Sequence, residues 1–193
     1  MASGKKNAAR LKATIVFIDE SGLLMAPLVR RTWAPVGQTP ILYQRGRSHE
    51  RISMIAALTV SPRRQKVGLY FSLLPNENVV TETAMTFLRR LRRQLGTPLL
   101  VVWDRLNVHR AAKTRLHGRN RSIHFEFLPA YAPELNPVEH FWAYLKMNPL
   151  ANHAATEILE LHRRATHHSR RIAADQALLR SFIAATPLSL RLR

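Results

Sequence analysis

Cysteine is absent from the 193-residue chain, so neither a disulfide framework nor a thiolate metal site can be built from it. Long apolar runs are absent as well. No stretch of about 18 consecutive apolar residues occurs, which excludes a spanning helix of ordinary length. The first apolar stretch, "TIVFI", is too short for a signal-peptide core and runs directly into Asp19 and Glu20. No internal repeat is visible. Acid is scarce: 12 Asp and Glu stand against 30 Lys and Arg, a net charge of +18 and an isoelectric point of about 11.6.

What is present limits how that charge can be read. The apolar fraction is 46%, enough for a packed core, so disorder does not explain the imbalance. A chain of this length is most simply one domain. A surface so basic repels itself and calls for a polyanion, with nucleic acid the first candidate and an anionic membrane surface the second. The expectation is a soluble protein, cytoplasmic or nucleoid-associated, with no membrane partner.

The pattern along the chain predicts a mixed α/β sheet with helices packed on it. Residues 1–12 read as a basic arm and 13–22 as a buried strand. Residues 28–42 read as a short strand followed by a loop around Pro35, Gly37 and Pro40. Residues 51–61 and 65–74 read as a hairpin about a "PRR" turn. Residues 79–95 suit an amphipathic helix with Val80, Ala84, Phe87, Leu88, Leu91 and Leu95 on its apolar stripe, ended by Gly96. "TPLLVVWD" (97–104) reads as a central strand covered on both faces. A helix over 108–116, a strand over 122–129, and helices over 137–147, 152–171 and 174–184 complete the order.

Because acids are few, each one can be questioned. Asp19 closes the run "VFID" and Asp104 closes "LLVVWD". In α/β sheets, sites collect where strands end, so each Asp is either a turn-former or a ligand. Glu139 lies in "LPAYAPELNPVEHFWAYLK" (128–146). Asn136 is a good N-cap, Pro137 suits the first helical position, and Glu139 then falls where a capping-box glutamate bonds back to the N-cap backbone. It also sits at the edge of the stripe formed by Val138, Phe141, Trp142 and Leu145, within reach of the sheet end. Capping and metal binding are both open to it.

The segments "VFIDESG", "RRTWAPVGQTP", "VVWDRLNVHR" and "LPAYAPELNPVEHFWAYLK" together resemble the catalytic core of DDE transposases of the mariner superfamily, and the bacterial insertion sequence 630 family in particular. Positions 105–138 separate Asp104 from Glu139, the 34-residue spacing of that family. The resemblance spans about residues 13–147. It implies a ribonuclease-H-like fold over 13–150, with the helices of 151–193 packing on or extending the same domain. It implies that Asp19, Asp104 and Glu139 are the catalytic and metal-binding triad, and that Mg²⁺ or Mn²⁺ is the cofactor, as two ions. Hard oxygen ligands suit such ions, and a metal pair can serve both the attacking and the leaving oxygen. His109 matches a family histidine and is expected to order Asp104 or touch the scissile phosphate. Glu20 should point to the opposite strand face from Asp19, and Glu134 should order the proline-rich turn.

The resemblance also implies DNA as partner, both element terminal repeats and target. Five basic clusters, over 30–33, 44–51, 61–64, 89–93 and 117–121, favour a phosphate-tracking surface. Arg30, Arg31, Trp33, Arg45, Arg47, Arg105, Arg110 and Lys146 are the candidate DNA contacts. Arg105 stands where many relatives carry a small residue. "HRRATHHSRR" (162–171) reads as a basic helix face rather than a metal site. Only 18 residues precede Asp19, too few for the helix-turn-helix modules usual in the family, so the expectation is either a truncated or separately encoded catalytic half, or a second polypeptide, a separate helix-turn-helix subunit, that recognises the element ends. A homodimer on DNA is expected by analogy. The expected activity is metal-dependent strand cleavage and strand transfer at insertion-sequence ends. The alternatives are an inactive basic DNA-binding remnant and a structure-specific nuclease on the same fold.

Overall fold

The computed structural model describes residues 8–26, 28–43, 50–104, 107–117 and 122–193. Five strands form one sheet: β1 (Thr14–Leu24), β2 (Arg51–Val60), β3 (Val67–Pro75), β4 (Leu99–Trp103) and β5 (Ile123–Phe127). Their spatial order is β3-β2-β1-β4-β5, antiparallel across β3, β2 and β1 and parallel across β1, β4 and β5. The five helices are α1 (Thr81–Leu95), α2 (Asn107–His117), α3 (Pro137–Met147), α4 (Ile158–Ala174) and α5 (Gln176–Ala184). Among the described residues, no helix is long and apolar enough to cross a membrane.

Strand alternation sorts the core into two layers. Ile15 and Phe17 of β1 with Leu100 and Val102 of β4 face α3, α4 and α5, where Phe141, Trp142, Leu145, Leu161, Ile172 and Phe182 are buried. Val16 and Ile18 with Leu99, Val101 and Trp103 face α1 and α2, against Ala84, Leu88, Leu91 and Ala112. Burial on both faces is why β4 reads as an unbroken apolar run. The C-terminal helices lie on the same sheet as the rest, since Leu161, Ile172 and Leu179 share the cluster that holds Phe17 and Phe141.

Some elements differ from the sequence reading. No strand forms over 28–42: residues 28–43 are irregular and every one is exposed, and the backbone of Leu28 and Arg30 bonds Asn152 rather than a strand among the described residues. Val80 is the half-exposed N-cap of α1 rather than part of its stripe, and Met85 takes the buried place. Helix α4 begins at Ile158, because the Glu160 carboxylate accepts from the Thr156 N–H at 2.8 Å and from its hydroxyl at 2.9 Å, fixing the first turn there. Residues 8–11, expected within the basic arm, form a helical turn whose Ala8 is buried.

Candidate active site

The parallel register between β1 and β4 pairs Phe17 with Val102. Two residues further along each strand come Asp19 and Asp104, on the same face of the sheet. The chain then leaves β5 and bends through Tyr131, whose backbone is left-handed at φ 56°. A single turn of 3-10 helix, Pro133–Leu135, follows and holds the exposed Glu134. This proline-rich segment crosses the strand ends and delivers α3 beneath them. Asp19, Asp104 and Glu139 thereby line one cavity of about 380 Å³, walled by Leu128, Pro133 and Asn136.

The start of α3 separates the two roles open to Glu139. The Asn136 side chain accepts from the Val138 N–H at 3.3 Å, so it is the N-cap. Its Nδ2 donates to the Ile18 carbonyl at 3.1 Å, tying the helix start to β1 just before Asp19. The Asn136 backbone N–H, which a capping-box glutamate would bind, instead bonds the Pro133 carbonyl at 2.8 Å. Glu139 is therefore not used as a cap, and its exposed carboxylate is turned to the cavity. Val138, Phe141, Trp142 and Leu145 are buried and anchor the helix.

Asp19 is 9% exposed, and the Trp142 Nε1–H donates to its Oδ2 at 2.9 Å. Its pKa is pushed up to about 7, first by burial and then by the charges of Glu139 and Glu20, with the Trp142 hydrogen bond pulling the other way. Lys146, one turn beyond Trp142, donates to the Ser21 hydroxyl at 2.7 Å. Burial holds this lysine below its usual pKa, while Glu139 and Asp19 pull it up. Lys146 thus stands beside the acids.

His109 is buried, and its ring stacks on Trp103 with centroids 3.8 Å apart. Its Nδ1 meets Asp104 Oδ1, and its Nε2 lies 3.1 Å from Glu20 Oε2. Glu20 does point to the face opposite Asp19. Burial, the largest single influence on His109, lowers its pKa, but Glu20 and then Asp104 together hold it above the usual value. Asp104 is thus gripped from the α2 side while its carboxylate reaches the cavity. Glu20 as the second partner of His109, and Trp142 as the donor to Asp19, were not foreseen from sequence. The available signals were weak: a buried indole seeks an acceptor, and Trp142 follows Glu139 by three residues on the same helix face.

The basic candidates fall in several places. The Arg30 guanidinium donates to the Met147 carbonyl and to Asn148 Oδ1 at 3.1 Å, so it closes the C-terminal end of α3. Arg31 is exposed, and Trp33, at 99% exposure, has no core role. Arg45, Arg47 and Arg105 lie outside the described residues, as does the Arg110 side chain. Tyr131, fully exposed on the cavity rim, is an aromatic that the sequence reading passed over.

Three carboxylates at the carboxyl ends of neighbouring strands and at a helix start, on a five-stranded mixed sheet, define a ribonuclease-H-like fold with an acidic site. The family model of the DDE superfamily endonucleases matches residues 14–162, and the chain belongs to that family. No curated protein sequence matches it. Among solved structures it is similar to the Mos1 mariner paired-end complex with Mn, at TM-score 0.62 and 21% identity, covering 95% of this chain and 56% of that one. The Mos1 paired-end complex with Mg matches at TM-score 0.62 and 18% identity, over 95% and 58%. The Mos1 strand transfer complex matches at TM-score 0.61 and 20% identity, over 94% and 56%. This chain thus spans somewhat over half the length of the Mos1 chains.

Among the described residues, no group of three or more His, Cys, Asp or Glu is close enough to hold a metal ion. The donor set nevertheless suits a hard divalent cation. Its oxygens are carboxylates lining one cavity, and Asp19, whose pKa is raised first by burial and then by Glu139 and Glu20, would be eased in its charged form by a bound cation.

Proposed function

We propose that this chain is the catalytic domain of a transposase that cleaves DNA strands at insertion-sequence ends and joins the freed 3′-hydroxyl to target DNA. The observation that carries the reading is the cavity shared by Asp19, Asp104 and Glu139. These three would hold Mg²⁺ or Mn²⁺, which when bound activates the attacking hydroxyl and offsets charge on the phosphate. The chain's own groups supply order. Trp142 fixes the rotamer of Asp19, His109 fixes Asp104, and the Asn136-capped start of α3 fixes the backbone that carries Glu139. Lys146 offsets part of the negative charge from the side of the helix. Tyr131 on the cavity rim, with the exposed Arg31 and Trp33, would contact DNA.

Cleavage of a terminal-repeat duplex in Mg²⁺ or Mn²⁺ tests this in wild type and in Asp19→Asn, Asp104→Asn and Glu139→Gln. Cleavage is expected to vanish in each variant, and unchanged cleavage in all three would end the reading. Strand-transfer products in a plasmid assay separate a transposase from a structure-specific nuclease. End recognition by a separate helix-turn-helix subunit, and pairing of two copies on DNA, belong to the same proposal. A gel shift in which this chain alone strongly prefers the terminal repeat over a scrambled duplex would remove the separate subunit.

A further inference from the structure

Strand β3 is an edge of the sheet, and the ladder shows which way its backbone points. The Lys66 carbonyl and the Asn76 N–H bond toward β2, to Ser61 at 3.0 Å and Arg51 at 2.8 Å. With alternation, Gly68, Tyr70, Ser72 and Leu74 also turn to β2, and Val67, Leu69, Phe71, Leu73 and Pro75 turn outward. Val67 is already served: Gln176 Nε2 donates to its carbonyl at 2.7 Å, and its N–H donates to Gln176 Oε1 at 3.3 Å. One side-chain amide thus stands where a neighbouring strand would stand. Pro75 has no N–H to offer. Between these two ends, the outward N–H and C=O groups of Leu69, Phe71 and Leu73 have no partner among the described residues.

Natural sheets guard such edges with charge, proline or a bulge. Here the open stretch is "LYFSL" and carries none of these. It lies at the bottom of a groove of about 720 Å³ between α1 and α4, lined with Phe87 and Leu91 and edged by Arg90 and Arg170. Both arginines are exposed. The one acid in the groove, Glu82, is paired with Arg115. An unmatched positive rim over an apolar floor, with free ladder groups along it, fits an extended acidic peptide. Nucleic acid could meet the arginines but could not complete the ladder.

We infer that the β3 edge is a docking site for a protein partner that adds an extended, acidic segment as a sixth strand, pairing with Leu69, Phe71 and Leu73 and placing carboxylates on Arg90 and Arg170. The site is remote from the acidic cavity and shares no residue with it.

The test uses the full chain and a ten-residue peptide alternating Val with Glu, beside a counterpart alternating Val with Lys. Hydrogen exchange is expected to slow about tenfold at the amides of Leu69, Phe71 and Leu73 with the acidic peptide alone. Anisotropy is expected to show at least about fivefold weaker binding of that peptide to Arg90→Glu/Arg170→Glu, a surface change that leaves the fold intact. Phe71→Pro, which removes an outward N–H without touching the β2 ladder, should also weaken it. Equal binding of both peptides, or unchanged exchange at the three amides, would overturn the inference. So would displacement of the peptide by duplex DNA with those amides still fast, which would make the groove a phosphate track.

Discussion

Asp19 and Glu20 are neighbours on β1, yet the two sides of the sheet treat their carboxylates differently. On the α3 side Asp19 is buried against a neutral donor, the Trp142 indole, with Glu139 adding to its negative field. On the α2 side Glu20 faces His109, which also holds Asp104. Asp19 is held mainly by burial beside a neutral donor, whereas Glu20 shares one imidazole with Asp104 and keeps its other oxygen buried without a partner among the described residues. A buried acid facing the cavity is available to a cation, and an acid bonded to the imidazole that holds Asp104 serves to position that neighbour. The comparison is the ground on which the proposed function gives ligand and support roles to two adjacent residues of the same chemistry.

Removing each carboxylate tests that assignment, and here the largest effect is expected. Asp19→Asn should lower metal-dependent cleavage by about three orders of magnitude, roughly 4 kcal/mol of barrier. Glu20→Gln should cost about tenfold, as loss of a group supporting a metal ligand typically does. The Glu20→Gln loss should shrink at high Mn²⁺, whereas that of Asp19→Asn should not. Equal losses in the two variants would break the comparison.

Stability against pH sharpens it. The folded-state pKa of Asp19 is raised from 3.8 to about 7, so the folded state binds a proton more tightly than the unfolded chain. Its contribution is complete below about pH 4, falls as pH rises toward 7 and is flat above, on the order of 4 kcal/mol without metal. His109 is also raised, so its contribution is present below its unfolded pKa and lost as pH rises through the folded one. The two windows are adjacent. In urea titrations of the metal-free protein, Asp19→Asn should remove the decline between about pH 4 and 7, and His109→Gln should remove the part above it. Added Mg²⁺ should flatten the Asp19 window, because binding to the folded state opposes the loss. The same pH dependence in wild type and Asp19→Asn through the lower window would contradict a raised pKa at Asp19.

How far the sequence foretold this site depended on which physical signal each residue carried. The ends of β1 and β4 were legible, because an apolar run closed by one Asp in an acid-poor chain is a local pattern. So was the start of α3, where Asn136, Pro137 and the Val138–Phe141–Trp142–Leu145 stripe all agree. Glu20 was placed on the correct face by strand alternation, but its bond to His109 was not legible. That contact depends on α2 folding back beside β1, a tertiary fact with no spacing to announce it. The strand expected near residue 28 failed for a related reason: apolar and β-branched residues describe a strand only when a neighbour completes it. Residues 28–43 pair with no strand among the described residues, and Trp33 stays in solvent.

The smallest effect concerns the residue that joins the two sides. Asn136 caps α3 through its oxygen and holds the Ile18 carbonyl through its nitrogen. Asn136→Asp keeps the cap and loses the donor, whereas Asn136→Ala loses both. The alanine variant should be destabilised by about 1–2 kcal/mol, as lost N-caps generally are. The aspartate variant should lose less in thermal melts, yet it adds a fourth carboxylate beside Asp19, Asp104 and Glu139 and leaves a buried carbonyl without its donor. Its cleavage should therefore suffer more than its stability, and its metal requirement should rise. If both variants lost activity only in proportion to stability, Asn136 would be a helix cap alone. A loss of activity beyond the loss of stability in Asn136→Ala as well, which adds no charge, would make the bond to Ile18 a means by which the helix start positions Glu139 against Asp19.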